Sequence, residues 1–478
     1  NFGLWYKINL YVKKSMNILK YICLPGLLVS GDIQTVSAVE SKTDKNPNIL
    51  VILIDDAGYN DFGFMGSKEM QTPNIDALTS EGVVFTDAHV AATVSSPSRA
   101  CLITGRYGHR FGYECNLSDR TNGLPLEEET IAEVFKTNGY RTAAIGKWHL
   151  GSRDEQHPNN RGFDLFYGMK AGGRDYFYNE KKSDRPGDER NLLLNDRQVK
   201  FEKYLTDAFS EKAVEFINES SQPFMMYLAY NAVHTPMQAT DEDMAKFEGH
   251  PRQKLAAMTY ALDRGVGTVI RGLKDSGKFD NTLIFFLSDN GGATTNQSSN
   301  YPLKGFKGNK FEGGHRVPYF VVWKNGIPAG KPYDGLVSSL DIFATAIDAA
   351  SISKTRNRLD GVSLLPYLKG KKGEPHKVLY WRKMDTRAIR SGDYKLIITH
   401  GVDSVLYNIR RDPEEMNNLI NKEPDLYRKL AKKLAKWEKN ECIEPSWLEE
   451  GWRKITNRYH QQLMHNEIKT AQDLYKKK

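Results

Sequence analysis

The chain contains few cysteines, and their arrangement points to neither disulfides nor a metal cluster. Only four of its 478 residues are cysteines. If Cys23 is removed with a leader, an odd number remains without metal-ligand spacing: Cys101, Cys115 and Cys442. The cysteines therefore support no disulfide framework, and their spacing is not that of a metal site.

Long hydrophobic runs, internal repeats and low-complexity linkers are also missing. The apolar stretch at 21–29 is interrupted by Pro25 and Gly26, so it is too short to span a bilayer. With Met16 as the start and the small residues at 36–38 as a cleavage site, it resembles a secretory signal. We therefore expect residues 1–38 to form an N-terminal extension with a signal peptide. The mature protein is expected to be secreted or periplasmic, without a stable membrane span.

A strong excess of one charge is missing as well. Lysine and arginine total 67 against 59 acidic residues, which gives a net charge of +8. Most basic residues are scattered along the chain. This balance suits an anionic substrate, but it does not require nucleic acid, and we expect no nucleic-acid partner.

Four short apolar runs are each followed directly by polar residues: 49–54, 142–145, 223–229 and 282–287. Such runs are typical of buried parallel strands, and ligands bind outside the carboxyl ends of these strands. Helical patterns lie between and after them: 74–80, 126–138, 204–220, 251–274 and 337–350. We therefore predict an α/β fold with a large mixed, mostly parallel sheet sandwiched by helices, and one site at the strand ends.

From residue 375 the pattern changes to short strands separated by turns and followed by one helix. The expected strands are 377–381, 387–390, 394–399 and 404–408, and the expected helix is 424–439. We predict a catalytic domain over 39–374 and a C-terminal α+β subdomain over 375–440, with a small antiparallel sheet and a packing helix. Residues 441–478 form a charged extension, either a helical wrap or a loose tail.

One run combines hydroxyl groups, a proline and an arginine: residues 95–106 read SSPSRACLITGR. If Pro97 begins a helix, Ser95 lies at its N-terminus, where free N–H groups favour an anion. Arg99, four residues further on, then lies on the same face. A serine hydroxyl is a weak nucleophile that needs a base, a metal or a chemical modification, so other groups must converge on Ser95.

Polar residues at two of the predicted strand ends could hold a metal. Asp55 and Asp56 follow the first strand, and Asp289 and Asn290 follow the fourth. These four hard oxygen donors suit calcium, with magnesium as a second choice, and no soft ligand accompanies them that would attract zinc. Read alone, two aspartates before Gly58 are equally typical of a turn or a helix cap.

The run at 95–106 resembles the signature of type I sulfatases, Cys/Ser-x-Pro-Ser-Arg-x-x-Leu-x-Thr-Gly-Arg, and matches every fixed position. Residues 146–151, GKWHLG, match a second sulfatase block, and the two aspartate-containing segments are similar to the family's metal ligands. The resemblance spans about residues 46–440. It implies an alkaline-phosphatase-like fold, hydrolysis of sulfate esters and a bound calcium ion.

The resemblance further implies that a maturase oxidises Ser95 to formylglycine, whose hydrate attacks sulfur. Arg99, Lys147 and Lys307 would then neutralise the sulfate oxygens. Serine in the nucleophile position fits two interpretations. We favour a natural serine-type precursor over an engineered replacement of cysteine that traps substrate.

Two histidines complete the set that the resemblance implies. His234 would protonate the leaving oxygen, while His149 would pair with the modified nucleophile and act as a base when sulfate is expelled. In the block at 312–318, EGGHRVP, His315 stands where a hydrophobic residue is usual. We expect this departure to affect packing only.

A sulfated carbohydrate is the expected substrate, because the aromatic residues at 176–178 and Trp381 suit stacking on sugars and Arg382 suits additional sulfates. The loop at 172–176 is expected to line the pocket. One alternative is a phosphate or phosphonate monoester hydrolase on the same scaffold, although the sequence lacks extra His/Asp pairs for a second metal. The other alternative is a secreted polyanion-binding protein with a catalytically silent site.

Overall fold

A computed structural model describes residues 46–117 and 120–476 of the chain. The signal peptide predicted within residues 1–38 lies outside these residues. None of the helices in the described part combines the length and the apolar character that crossing a membrane requires. The cysteines within it, Cys101, Cys115 and Cys442, form no disulfide.

The strands of the described residues are, in chain order, β1 (Asn48–Ile54), β2 (Val83–Val84), β3 (Ala88–His89), β4 (Arg141–Lys147), β5 (Leu165–Met169), β6 (Leu193–Leu194), β7 (Arg197–Gln198), β8 (Phe224–Ala229), β9 (Thr282–Ser288), β10 (Tyr319–Val322), β11 (Val337–Ser338), β12 (Val378–Lys383), β13 (Thr386–Ser391), β14 (Tyr394–Thr399) and β15 (Asp403–Asn408).

The helices are α1 (Pro73–Thr79), α2 (Ser95–Thr104), α3 (Ile131–Thr137), α4 (Leu205–Glu219), α5 (Asp241–Ala245), α6 (Gln253–Asp275), α7 (Glu312–His315), α8 (Asp341–Ala349), α9 (Leu365–Leu368), α10 (Pro424–Glu441), α11 (Glu450–Met464) and α12 (Asp473–Lys476). Short 3-10 helices occupy Gly63–Met65, Gly108–Phe111, Asp154–Gln156 and Pro158–Arg161.

The large sheet has nine strands in the order β2-β10-β9-β1-β8-β4-β5-β6-β7. Its five central strands, from β9 to β5, are parallel, and the pairings at both edges are antiparallel. The four strands predicted from sequence are the neighbours β9, β1, β8 and β4. Their carboxyl ends therefore lie side by side at one end of the sheet.

Alternate residues of β1 enter two different cores, because successive side chains of a strand point to opposite faces. Ile49, Val51 and Leu53 are buried with residues of α2, α3 and α8. Leu50 and Ile52 are buried with residues of α1, α4 and α6 on the other face. The predicted sheet sandwiched by helices is confirmed.

Two helices begin four or more residues later than predicted, at Ile131 and Asp341. The side chain of Thr130 accepts a hydrogen bond from the N–H of Glu133, whose carboxylate accepts from the N–H of Thr130, and this capping box sets the start of α3. The predicted helix at 337–350 loses its first residues because Val337 and Ser338 pair with β3. Local strand pairing and capping therefore override the helical pattern at these ends.

The small sheet is the antiparallel meander β12-β13-β14-β15. Leu430 and Leu434 of α10 pack on one of its faces, as predicted. Leu463 and Met464 of α11 pack on the other face, so the segment 441–478 contains a packed helix. Both sheets belong to one compact unit, and the domain boundaries drawn from sequence stay predictions.

A buried lysine joins the small sheet to the large one. Lys395 on β14 forms ion pairs with Glu312 at 2.9 Å and Glu415 at 3.0 Å, and all three side chains are inaccessible to solvent. Its Nζ also lies 2.9 Å from Nε2 of His315. Because Glu312 and His315 form the ends of α7, this contact fixes the segment that follows Lys307.

His315 belongs to a chain of polar contacts, which corrects the prediction that it affects packing only. Nε2 of His315 lies 2.9 Å from Nζ of Lys395 and 3.1 Å from the carbonyl oxygen of Lys310, and its Nδ1 lies 2.9 Å from Nδ1 of His89. His89 in turn donates from Nε2 to Asp87 at 2.8 Å. Burial and the nearby Lys395 hold the pKa of His315 well below its ordinary value, which keeps this ring neutral.

Replacing Lys395 tests the junction. We expect Lys395→Met to lower the free energy of unfolding by about 3–5 kcal/mol, because it leaves buried carboxylates without their cation. Denaturant-induced unfolding followed by circular dichroism measures this change. The control Lys429→Met, on the exposed side of α10, should change it by less than about 0.5 kcal/mol. Equal stability of the two variants would contradict the role given to Lys395.

Candidate active site

Ser95 is the first residue of α2. The sequence analysis placed the start of this helix at Pro97, so the helix begins two residues earlier than predicted. The side chain is buried, with 1% of the residue exposed. Its Oγ lies 3.3 Å from Oδ1 of Asp55 and 3.2 Å from Oδ1 of Asn290. The hydroxyl therefore faces the ends of β1 and β9, two adjacent parallel strands.

The predicted oxygen donors meet at these two strand ends. Asp55 and Asp56 directly follow β1, while Asp289 and Asn290 directly follow β9, and all four are buried. The backbone N–H of Asp56 donates to Oδ1 of Asp289 at 3.3 Å. The amide nitrogen of Asn290 donates to Oδ1 of Asp56 at 2.8 Å. The structure thus brings the whole predicted set together.

Arg99 lies one helical turn after Ser95 and is completely buried. Its Nε and Nη2 donate to the same oxygen of Asp289 at 3.0 and 2.9 Å, and its Nη1 donates to the backbone carbonyl of Lys147 at 3.0 Å. These bonds to two strand ends fix the guanidinium beside the nucleophile position.

Two lysines lie against the aspartates of β1. Nζ of Lys147, at the end of β4, is 2.6 Å from Oδ2 of Asp55. Nζ of Lys307, on the loop before α7, is 2.6 Å from Oδ1 of Asp56 and 3.5 Å from Oγ of Ser95. Both predicted lysines therefore reach the site, from opposite sides of β1.

The charges of this cluster stabilise one another. Burial alone would raise the pKa of Asp55 and Asp56, but Lys147 beside the first and Lys307 beside the second hold both pKa values below the ordinary range. Burial would lower the pKa of Lys307, but Asp56 and Asp55 raise it. Arg99 pairs with Asp289 in the same way. The site therefore contains three carboxylates and three cations, each carboxylate next to a cation.

His234 follows β8 and is the more accessible of the two predicted histidines, with its side chain 24% exposed. Its Nδ1 is 2.6 Å from the backbone carbonyl of Thr235. Because a carbonyl can only accept, Nδ1 carries a proton. The other nitrogen, Nε2, faces Asp56, with 3.7 Å to Oδ2, and is the atom that can exchange a proton in the cleft.

His149 follows β4 and is half-buried. Its backbone has a φ of 56°, and its carbonyl accepts a hydrogen bond from Oγ of Ser96 at 2.7 Å. Nδ1 of its ring is buried and has no hydrogen-bond partner in the described part of the chain. Burial, with the nearby cations Lys147 and Arg99, holds the pKa of His149 well below its ordinary value, so the ring is neutral.

Two uncharged residues that the sequence did not point to, Asn296 and Ser298, also shape the site. They hold the backbone of Asp56, which is left-handed with a φ of 60°. Its carbonyl accepts hydrogen bonds from Nδ2 of Asn296 at 3.0 Å and Oγ of Ser298 at 2.9 Å. Both belong to a polar segment soon after Asn290. The clustering of hydroxyl and amide residues there was the only signal available in the sequence.

The expected sugar-binding role of Trp381 and Arg382 is wrong. Trp381 is buried, donates to the carbonyl of Val90 at 2.8 Å, and stacks on His315 with 4.1 Å between ring centroids. Arg382 is paired with the buried Glu114. Both side chains are used inside the protein and do not face a substrate.

The loop at 172–176 does reach the predicted site, but through its glycines. Gly172 lies against the ring of His149, and Gly173 lies against the ring of His234. Arg174 is buried and paired with Asp184 at 2.8 Å. The loop therefore positions the two histidines, while its arginine is not available to a ligand.

The oxygen donors also fit a cation. Oxygen atoms of Asp55 and Asp56 lie, with a ring nitrogen of His234, within 4.8 Å of one another. The neighbouring donors, from Asp289 and Asn290, are oxygens too. A cluster of carboxylate and amide oxygens without sulfur suits calcium or magnesium.

A helix N-terminus next to fixed cations is suited to binding an anionic ester beside the buried hydroxyl of Ser95. Fold and site together are those of an enzyme of the α/β class that hydrolyses such esters. The Sulfatase family model matches residues 47–352, and that of the C-terminal part of N-sulphoglucosamine sulphohydrolase matches residues 307–440. The chain belongs to the sulfatase family and is a sulfuric ester hydrolase.

Known proteins resemble the chain over most of its length. The uncharacterized sulfatase YdeN of Escherichia coli (strain K12) is 36% identical over 401 residues, which cover 72% of this chain and 70% of the relative. Human N-acetylgalactosamine-6-sulfatase is 31% identical over 372 residues, with coverages of 73% and 71%. The crystal structure of Ps i-CgsB in complex with k-i-k-neocarrahexaose is 38% identical, has a TM-score of 0.80 and covers 87% of this chain and 99% of its own. The predicted family and its alkaline-phosphatase-like fold are confirmed.

The glycines of the 172–176 loop can be tested by adding one methyl group. At Gly172 the added carbon would lie 2.7 Å from Nε2 of His149, while at Gly173 it would lie 3.3 Å from Cε1 of His234. We expect Gly172→Ala to lower kcat/KM for sulfate release by about 10- to 100-fold, because the ring must move. Gly173→Ala is the matched control and should lose less. An unchanged kcat/KM in a folded Gly172→Ala protein would contradict the role of this contact.

Proposed function

We propose that the chain releases sulfate from a sulfated glycan, using formylglycine formed from Ser95 together with a bound calcium ion. The observation that supports this most directly is the surroundings of Ser95. Its Oγ contacts Asp55, Asn290 and Lys307, and none of these is an effective general base, because the pKa of Asp55 is lowered. The unmodified serine is therefore a poor nucleophile in this site.

Modification of Ser95 and a metal would supply what the unmodified side chain lacks. Once hydrated, a formylglycine provides a more reactive hydroxyl and a route for sulfate to leave, and a calcium ion lowers the pKa of an oxygen that it binds. The oxygens of Asp55, Asp56, Asp289 and Asn290 would hold the ion. Magnesium is the alternative cation for the same donors.

Lys147, Lys307 and Arg99 bind and orient the sulfate group. Their positions are fixed by the aspartates described above, so little reorganisation is needed when an anion enters. Fixed cations of this kind stabilise the charge that develops on the sulfate oxygens in the transition state. Lys307 is the most exposed of the three, with 20% of its side chain accessible, and lies on the substrate side.

The histidines move protons at defined atoms. His234 donates from Nε2 to the leaving oxygen, since its Nδ1 is committed to the carbonyl of Thr235. His149 accepts a proton on its neutral ring when sulfate is expelled. The contact between Gly172 and His149 keeps that ring in place.

The substrate class is the least direct part of the proposal. Ps i-CgsB, the 38% identical structure, holds a neocarrahexaose, which favours a sulfated galactan of the carrageenan type for this chain as well. Secretion or export to the periplasm would bring the enzyme to such a polymer. A maturase is then a required partner in the cell.

A phosphate or phosphonate monoester hydrolase stays the alternative. In the described part of the chain, one other cluster contains metal-ligating groups, namely His89, Glu312 and His315. There the ammonium group of Lys395 occupies the space between the ligands, at 2.9 Å from two of them. The hydrogen-bond partners of Ser95 Oγ include none of these three residues, whereas a two-metal phosphatase holds its metals about 3.5–4 Å apart at one reacting group.

Mass spectrometry tests the modification of Ser95. In protein produced with a maturase, we expect the tryptic peptide that spans residues 69–99 to lose two hydrogen atoms at Ser95, because the side-chain alcohol becomes an aldehyde. The same protein should release sulfate from carrageenan oligosaccharides, and phosphate esters should be far poorer substrates. Protein produced without the maturase is the control. Sulfate release by protein with an unmodified Ser95 would contradict the proposed mechanism.

Calcium binding can be tested without any activity assay. We expect calcium at about 100 times its Kd to stabilise the folded protein by about 2.7 kcal/mol, which thermal unfolding with and without EGTA detects. Asp56→Asn should abolish this shift, because it removes a proposed ligand. Asp280→Asn, at a side chain that is 54% exposed and paired with Lys324, is the control. A calcium-dependent shift that survives in Asp56→Asn would place the ion elsewhere.

A further inference from the structure

A cavity of about 270 Å³ opens directly onto the proposed reaction centre. Asp56, His234 and Lys307 line this cavity. The helix α11 lines it too, through five residues at helical spacing: Trp452, Ile455, Thr456, Tyr459 and His460. The C-terminal segment therefore supplies part of the wall of the cavity that contains the catalytic groups.

This helix lies beyond residue 440, where the match to the second family model ends. It is nevertheless firmly held. Asn457 donates to Asp385 at 2.7 Å, and Nε2 of His460 accepts from the backbone N–H of Lys310 at 3.2 Å. Since Lys310 is in the same loop as Lys307, the helix is fixed relative to the sulfate-binding lysine.

Trp452 has no packing role that would explain it. Its relative exposure is 59%, the second highest among the large hydrophobic residues that stand exposed in the described part of the chain. Tyr459, in contrast, packs edge-on against Phe306 with 5.4 Å between ring centroids. A rigid helix thus presents one exposed indole at the rim of the cavity, and aromatic side chains of this kind combine a flat apolar face with low conformational freedom.

The position of the leaving sugar indicates which part of the substrate α11 contacts. His234 would protonate the oxygen that departs with the sugar, so the sugar lies on the His234 side of the sulfate. His234 and α11 line the same cavity. Its volume is small against the about 300–1,000 Å³ of typical ligand pockets, which suits one sugar ring with the rest of the chain passing over the rim.

Building on the proposed function, we propose that α11 is a glycan-binding platform, in which Trp452 stacks on the sugar ring next to the sulfated residue. Trp452 is thereby a specificity-determining residue for oligosaccharides. It contributes nothing to the release of sulfate from a ligand too small to reach the rim.

Binding to unmatured protein tests the platform separately from catalysis. With Ser95 unmodified, we expect isothermal titration calorimetry to show binding of neocarrahexaose. Trp452→Ala should weaken it about 3- to 10-fold, in line with the value of one aromatic contact, and Trp452→Phe should retain most of the affinity. Tyr301→Ala is the matched control, because Tyr301 is 62% exposed and does not line the cavity.

The outcomes separate the two proposals. Equal affinity of Trp452→Ala and the parent protein, or no binding by the parent, overturns the platform. Binding that depends on Trp452, without sulfate release after maturation, supports the platform and overturns the proposed function. In active protein, the Trp452→Ala change should raise KM for the hexasaccharide and leave kcat unchanged.

Discussion

The burial of Asp55, Asp56 and Asp289 at the ends of two neighbouring strands is the constraint on which the site depends. Three carboxylates this close together, out of contact with water, repel one another and lose hydration. Each is compensated by a cation from a different element: α2, the end of β4, or the loop before α7. In the proposed function, the same cations bind the incoming sulfate. Stability of the strand ends and affinity for the anion therefore come from the same side chains.

The small C-terminal sheet takes part in this arrangement. Lys395 enters from β14 and compensates Glu312 and Glu415 in the interior, while α7 connects this junction to the loop that holds Lys307. The loop is thus fixed at one end by the small sheet and at the other by its contact with Asp56. A sulfate-binding lysine on a free loop would lose conformational entropy with every ligand, and the second sheet removes much of that cost.

Much of the fold and most of the proposed site were predictable, because their signals are local. A buried parallel strand reads as a short apolar run, and Asp55 and Asp289 stand directly after such runs. Long-range partners leave no local signal. The stacking of Trp381 on His315 joins positions far apart in sequence, so an exposed sugar-binding role for Trp381 was a reasonable but wrong expectation. The later starts of two helices reflect capping and strand pairing, which compete with helical periodicity and cannot be weighed from periodicity alone.

The reaction and the substrate are encoded in physically different ways. Charged groups that act on sulfate must be held within tenths of an ångström, so they occupy strand ends and helix termini, where substitutions are severely limited. The wall formed by α11 has only to present a flat apolar surface at the correct distance from His234, and many sequences can do so. A motif can therefore identify the sulfate chemistry, whereas the proposed role of Trp452 becomes visible only when folding brings the C-terminal helix to the same cavity as the histidine. Specificity in this enzyme is consequently expected to change through α11 without disturbing the balance of charges beneath it.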